Sequence, residues 1–183
     1  MAHLKPPTVP SHMAMTRRIG IALSAAALTA CGPSSEPTPA PVKAAPVAPN
    51  TQGPMPAPPA WAAPYLGKII TETLPEGSGC IGNTEGVPRR FAGPPAGAEI
   101  SGWGWDSVAK RRVERILLAD ESLRIIGAGD GGVDRPDVLA VKPEFQDGKT
   151  GWVGRAPITS GLVIAYALVD GGKAACPLGE IEV

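Results

Sequence analysis

The sequence predicts an all-β domain, an antiparallel β-sandwich, standing behind a disordered Pro-rich tether. Three observations carry that prediction. The apolar segments after residue 64 are short and separated by turn signals, as strands are and long helices are not. Gly and Pro, at 23 and 22 of 183 residues, are abundant enough that part of the chain cannot pack into a core. Half of the prolines fall between Gly32 and Pro64, so the unpacked part sits ahead of the strands. Residues 65–183 remain, a length that allows one core.

Along that remainder, Lys68–Thr73 is rich in β-branched residues and ends at the turn signal Leu74-Pro75-Glu76-Gly77. Ala98–Asp106 alternates, with glycine on one side. Val113–Ala119, the turn Asp120-Glu121-Ser122 and Leu123–Ile126 read as a hairpin. A helix capped by Asp106 and running through Ala119 is the competing reading, with Ala109, Val113, Ile116 and Leu117 on one face. The strand is preferred from Val113 onward, because an apolar Leu-Arg-Ile-Ile directly after Asp-Glu-Ser suits a hairpin better than a helix exit. Asp137–Val141 allows one helical turn, and Gly151–Arg155 is a strand ahead of Pro157. Leu162–Val169, Asp170-Gly171-Gly172 and Lys173–Cys176 form the clearest hairpin, and Glu180–Val183 adds a final edge strand.

The N-terminal part reads as an address. Met15-Thr16-Arg17-Arg18 is a positive region, and Ile19–Leu28 is an apolar run too short to span a bilayer. Leu28-Thr29-Ala30-Cys31 follows at once and resembles the lipobox of bacterial lipoproteins. That resemblance implies cleavage before Cys31, making residues 1–30 a signal peptide and Cys31 the lipidated, membrane-anchored N-terminus. An ordinary secretory signal with an accidental Cys is the alternative. Residues 1–14 precede the charged region, which points to Met13 or Met15 as the true start. Gly32 stands where Asp favours inner-membrane retention in enterobacterial lipoproteins, so the resemblance implies a cell-envelope protein of the outer membrane. Residues 31–64 are then the lipidated Cys and a Pro/Ala-rich linker, and residues 65–183 the β-sandwich domain. The linker cannot repay its ordering entropy by burial, so polyproline-II spacing of roughly 100 Å at most is expected.

Several chemistries are excluded at this stage. His3 and His12, the two histidines, both lie in the cleaved segment, so a mature chain has no His for a triad or for zinc. Cleavage also removes Lys5, Arg17 and Arg18, turning equal numbers of acids and bases into a small acidic excess. No basic field marks a nucleic-acid binder. Cys80 and Cys176 remain, and in an oxidising compartment a disulfide is expected. It would close a loop of roughly 100 residues, worth about 4.5 kcal/mol by chain entropy. A reactive or metal-binding thiol pair is the other reading, weakened by the wide spacing. No cofactor or metal is indicated.

Candidate binding residues are few. Trp103 and Trp105 stand two apart, so in a strand both point to one face, while Gly102 and Gly104 leave the other bare. They form either a platform for stacking sugar rings or part of the core, and Trp152 has the same two readings. Gly127–Asp137 is a polar, Gly-rich patch with Asp130, Asp134 and Asp137. It lacks the spacing of a calcium loop and reads as a wide turn, with Arg135 and Asp137 either serving a ligand or pairing locally. Lys110-Arg111-Arg112 with Arg115, and Arg89-Arg90, are local basic patches, read as solvated turns or as contacts for acidic glycan phosphates. Ser160 is in no nucleophile elbow, and no acid pair is singled out as a glycosidase pair.

Gly102-Trp103-Gly104-Trp105-Asp106, a hairpin, Arg135-Pro136-Asp137-Val138 and Gly151-Trp152 together resemble an Ig-like β-sandwich module of bacterial envelope proteins, some of them associated with surface glycans. The resemblance covers about residues 98–169. It implies the sandwich and carries no settled activity. The expectation is therefore a non-catalytic binding module for an envelope glycan or an envelope protein. Assembly of an envelope complex through an edge strand is the second reading, and a carboxylate-dependent hydrolase the third.

Overall fold

The computed structural model describes residues 50–51 and 53–183. The signal peptide, Cys31 and the linker up to residue 49 lie outside the described residues. The chain is all-β and predominantly antiparallel. Its strands are β1 (Asn50–Thr51), β2 (Cys80–Phe91), β3 (Gly97–Asp106), β4 (Arg111–Arg112), β5 (Arg115–Asp120), β6 (Ile125–Val133), β7 (Gly151–Ala156), β8 (Leu162–Val169) and β9 (Ala174–Glu182). They form one sheet in the order β1-β2-β3-β7-β6-β5-β8-β9, with β4 pairing β3. The sheet curls until β2 and β9 lie side by side. Leu178 of β9 packs against Gly82 and Gly104, and Gly179 lies against Thr84. Just ahead of β2, Gly77 donates its N–H to the Ala175 carbonyl at 2.8 Å, and Ala175 donates to Pro75 at 3.0 Å. The expected Cys80–Cys176 disulfide ties the two strands there, with Cα atoms 6.2 Å apart.

Inside the curl lies the main core, built from Ile100, Val113, Ile116, Leu118, Trp152, Val163, Leu178 and their neighbours. A second cluster lies on the outer face. There Leu117, Ile125 and Leu168 are covered by Ala62, by Ile70 and Leu74, and at its margin by Trp61 and Tyr65. Ile116, Leu117, Leu118 and Ala119 are all fully buried for this reason, since β5 is covered on both sides. That double burial makes its sequence a continuous apolar run, the pattern that periodicity alone cannot assign to strand or helix. The strand reading is correct. Asp106 does accept from the N–H groups of Val108 and Ala109, at 3.0 and 2.9 Å, as a helix cap would. Lys110 then takes φ 52°, and no helix follows.

The hairpin β5–β6 turns where expected. The Asp120 carboxylate accepts from the backbone of Ser122 and Arg124, at 2.9 and 3.0 Å, and closes the turn itself. The hairpin β8–β9 and the strand β7 also stand as read, with residues 180–182 continuing β9 rather than forming a separate edge strand. Three further expectations need correction, and one strand carries no expectation at all. Ile70–Thr73 is a single helical turn, α1, in which Thr73 donates its hydroxyl back to the Ile69 carbonyl at 2.7 Å. The Gly-rich patch is mostly strand, because β6 runs on to Val133. The 12-residue β2 was unread, its signal broken by Gly86 and Pro88 at two shifts of register. The tether also ends earlier than Pro64: Met55 and Ala62 are buried, and Trp61 donates its indole N–H to Asp130 at 2.9 Å under the Arg115 guanidinium.

The segment from Gly53 to Pro64 is therefore part of the folded domain. Removing residues 1–64, compared with removing 1–49, should cost about 2–4 kcal/mol of stability from lost burial. That loss should lower the thermal midpoint by roughly 10 °C. Equal midpoints for the two truncated chains would show that this packing contributes nothing.

Candidate functional site

The strand β3 alternates as its sequence requires, and the two faces differ completely. Gly102 points inward beside Trp152, its partner across the β3–β7 ladder. A Cβ at Gly102 would come within 2.6 Å of the Trp152 ring, so the indole occupies the space that a side chain would need. Trp152 is fully buried, so of its two readings the core one holds and the surface stacking one does not. Its Nε1, with the hydroxyls of Thr84 and Thr150, is buried without a hydrogen-bond partner in the protein. Thr84 pairs with Gly102 from the opposite side, so Thr84 and Trp152 flank the same glycine.

Trp103 and Trp105 point outward together, as expected from their spacing, yet they form no open platform. α2 (Pro136–Val141) and the 3-10 turn Pro143–Phe145 lie over them. Phe145 stacks on Trp105 with ring centroids 4.8 Å apart and planes 14° from parallel. It meets Trp103 at 6.0 Å with a 43° tilt. Trp105 is 7% exposed under this cover, whereas Trp103 is only half-buried.

Arg135 belongs to the same face. Its stem crosses Gly151, whose strand partner is Trp103, and a Cβ at Gly151 would meet Arg135 Cγ at 2.8 Å. The guanidinium then grips two carboxylates. Nη1 and Nη2 donate to Glu85 at 2.6 and 3.3 Å, and Nε and Nη2 donate to Asp137 at 2.9 and 2.6 Å. The Arg135–Asp137 pairing read from sequence is thus present, with Glu85 as an additional arm. This holds Asp137 at a pKa of about 2, well under the ordinary 3.8, because Arg135 hydrogen-bonds its charged form. The Arg135 guanidinium is in turn pushed above its ordinary value by Asp137 and Glu85.

Beyond the Trp105–Phe145 stack lies a cavity of about 460 Å³. Lys110, Arg111 and Gln146 line it beside the rings, together with the carboxylates of Glu144 and Asp147. The basic cluster expected to be a solvated turn is partly tied down. Arg112 pairs with Asp147 at 3.2 Å and Arg111 with Glu114 at 3.8 Å. Four of the sequence-derived candidates, Trp103, Trp105, Arg135 and Asp137, therefore meet on one outer face. Asp130 instead serves Trp61, and Asp134 is exposed. Among the described residues no group of three His, Cys, Asp or Glu side chains could hold a metal. Nor is any helix there long and apolar enough to cross a membrane.

Sequence reading missed Phe145, Glu85 and Asp147. Phe145 carried a usable signal, since a large aromatic in a polar loop seldom stays in water. Glu85 carried none, because its strand was unread. Comparison with protein-family models, with curated proteins and with solved structures yields no match.

The Arg135 clamp makes a pH prediction. A lowered native pKa means that the contact stabilises the fold fully above the unfolded value and is lost as pH falls from 3.8 towards 2. NMR titration of the Asp137 carboxyl carbon should give a midpoint near 2, and Arg135→Gln should return it to the ordinary range. A midpoint near 3.8 in the unaltered protein would mean that the pair is open in solution.

Proposed function

We propose that this chain is a bacterial envelope lipoprotein, anchored in the outer membrane through Cys31, whose Ig-like sandwich domain binds an envelope glycan without catalysing a reaction. The observation that carries the binding reading is the cavity beside Trp105 and Phe145. Aromatic rings next to Lys110, Arg111 and Gln146 combine an apolar wall for a sugar's C–H face with hydroxyl donors, and Glu144 and Asp147 add hydroxyl acceptors. The non-catalytic reading is supported by the commitment of the acids on this face to ion pairs: Glu85 and Asp137 to Arg135, and Asp147 to Arg112. The folded domain begins ahead of Pro64, with Gly53 and Met55 hydrogen-bonded to Gly93 and Pro95.

The full chain in detergent should bind soluble peptidoglycan fragments saturably. Lys110→Ala and Gln146→Ala should each weaken binding about tenfold, the loss of one good hydrogen bond, at unchanged thermal midpoint. Trp152→Ala should instead cost about 3–5 kcal/mol of stability. No binding at millimolar fragment would overturn the glycan reading and favour a protein partner.

The anchor has its own test. The N-terminal peptide should carry a diacylglyceryl mass, and Cys31→Ala should release the protein from the membrane fraction. Retention of the variant on the membrane would overturn lipidation.

A further inference from the structure

We infer, resting on the glycan reading above, that the Trp103–Trp105 face is a covered sugar-stacking site, and that a pyranose ring takes the place Phe145 holds. Phe145 lies on Trp105 nearly parallel at 4.8 Å, the arrangement in which the flat C–H face of a sugar meets an indole. Both rings of this stack line the cavity that takes the ligand, with Lys110 and Gln146 beside them, so a sugar bound there lies against Phe145.

The cover is built to move as a unit. Arg135 donates its N–H to the Gly148 carbonyl at 2.6 Å, so residues 135–148 close on themselves as a compact loop. The backbone bonds within it are local: Leu139 to Arg135, Lys142 to Val138 and Phe145 to Lys142. Among the described residues, no backbone hydrogen bond joins residues 136–147 to a strand. Lifting the loop therefore breaks no part of the sheet.

Side chains hold it down, and unequally. At the Arg135 end, the guanidinium reaches Glu85 of β2 with two hydrogen bonds, while its pair with Asp137 braces the loop internally, and this end is the pivot. At the other end, the partly exposed ion pair Arg112–Asp147 is the latch, with the Asp147 carboxylate also accepting the Lys149 N–H at 2.8 Å. Between them only Val138 and Phe145 pack on the two tryptophans. Release of Asp147 leaves the Phe145 end held by the packing of Phe145 and Val138 alone, while Arg135 stays in place.

NMR relaxation dispersion on the full chain without ligand tests the cover directly. A loop that lifts as a unit keeps its own amide bonds, so the signals to follow are the ring protons of Phe145 and Trp105, which should exchange between two environments while those of Trp152 do not. Arg112→Gln should enlarge the open population. Ring signals without exchange in both proteins would overturn the inference.

Soluble peptidoglycan fragments test the site. Phe145→Ala removes the occupant, so its dissociation constant should fall about tenfold relative to the unaltered chain. Equal or weaker binding by Phe145→Ala would overturn the stacking site and leave the cavity reading intact. Local opening without binding by either protein would overturn the glycan reading, and with it the sugar as occupant, while leaving the movable cover.

Discussion

The domain depends on the indole of Trp152 lying across the bare backbone of Gly102. A chain with four tryptophans, two tyrosines and two phenylalanines has few large side chains to fill the inside of a curled sheet. One indole does much of that filling, and it can do so only where the facing strand offers no Cβ. The alternation of β3 then decides what lies outside. With Gly102 and Gly104 turned inward, Trp103 and Trp105 are turned outward by the pleat. Two exposed indoles side by side would be a costly apolar patch. The loop of residues 135–148 covers them with Val138 and Phe145, so the candidate site follows from how the interior is packed.

The same packing separates what was legible in the sequence from what was not. β3, β7 and the hairpins β5–β6 and β8–β9 were readable because alternation and turn residues agree with the structure locally. The outward pairing of Trp103 and Trp105 was readable for the same reason. What covers them was not, because Phe145 lies 40 residues from Trp105 in a polar loop and no local pattern joins the two. Trp152 shows the limit most clearly. Its Gly-Trp setting matches that of Trp103, yet one indole is interior and the other exterior, a choice made by the β3–β7 register. The strand Cys80–Phe91 failed for a different reason. Gly86 and Pro88 sit at bulges, where a strand tolerates them and a sequence pattern does not show it.

The long edge of β2 explains two further features. At its Cys80 end the strand meets β9 through the disulfide, the Leu178 contacts and the Pro75–Gly77 hydrogen bonds to Ala175. At its Phe91 end the short parallel strand β1 takes that place, and Gly93 donates to Gly53 just beyond it at 3.1 Å. An unprotected edge of 12 residues would invite pairing with another chain. Different parts of the chain cover its two ends, and the segment that composition assigns to the tether supplies one of them. Cover of that kind requires order, which is why residues 53–64 belong to the fold despite their prolines.

The two ion-pair systems on the outer face then differ in kind. Arg135 satisfies two carboxylates with four hydrogen bonds, and its side chain is only 20% exposed. Arg112 and Asp147 share one contact and are 38% and 30% exposed, the range in which an ion pair contributes at most about 1 kcal/mol. Both systems hold the same loop, one at each end. Salt weakens the exposed pair first, since solvent screens it more. The loop is therefore anchored where Arg135 crosses Gly151 and loosely held where Phe145 covers Trp105. That asymmetry places whatever freedom the loop has at the edge of the cavity, where a ligand would first make contact.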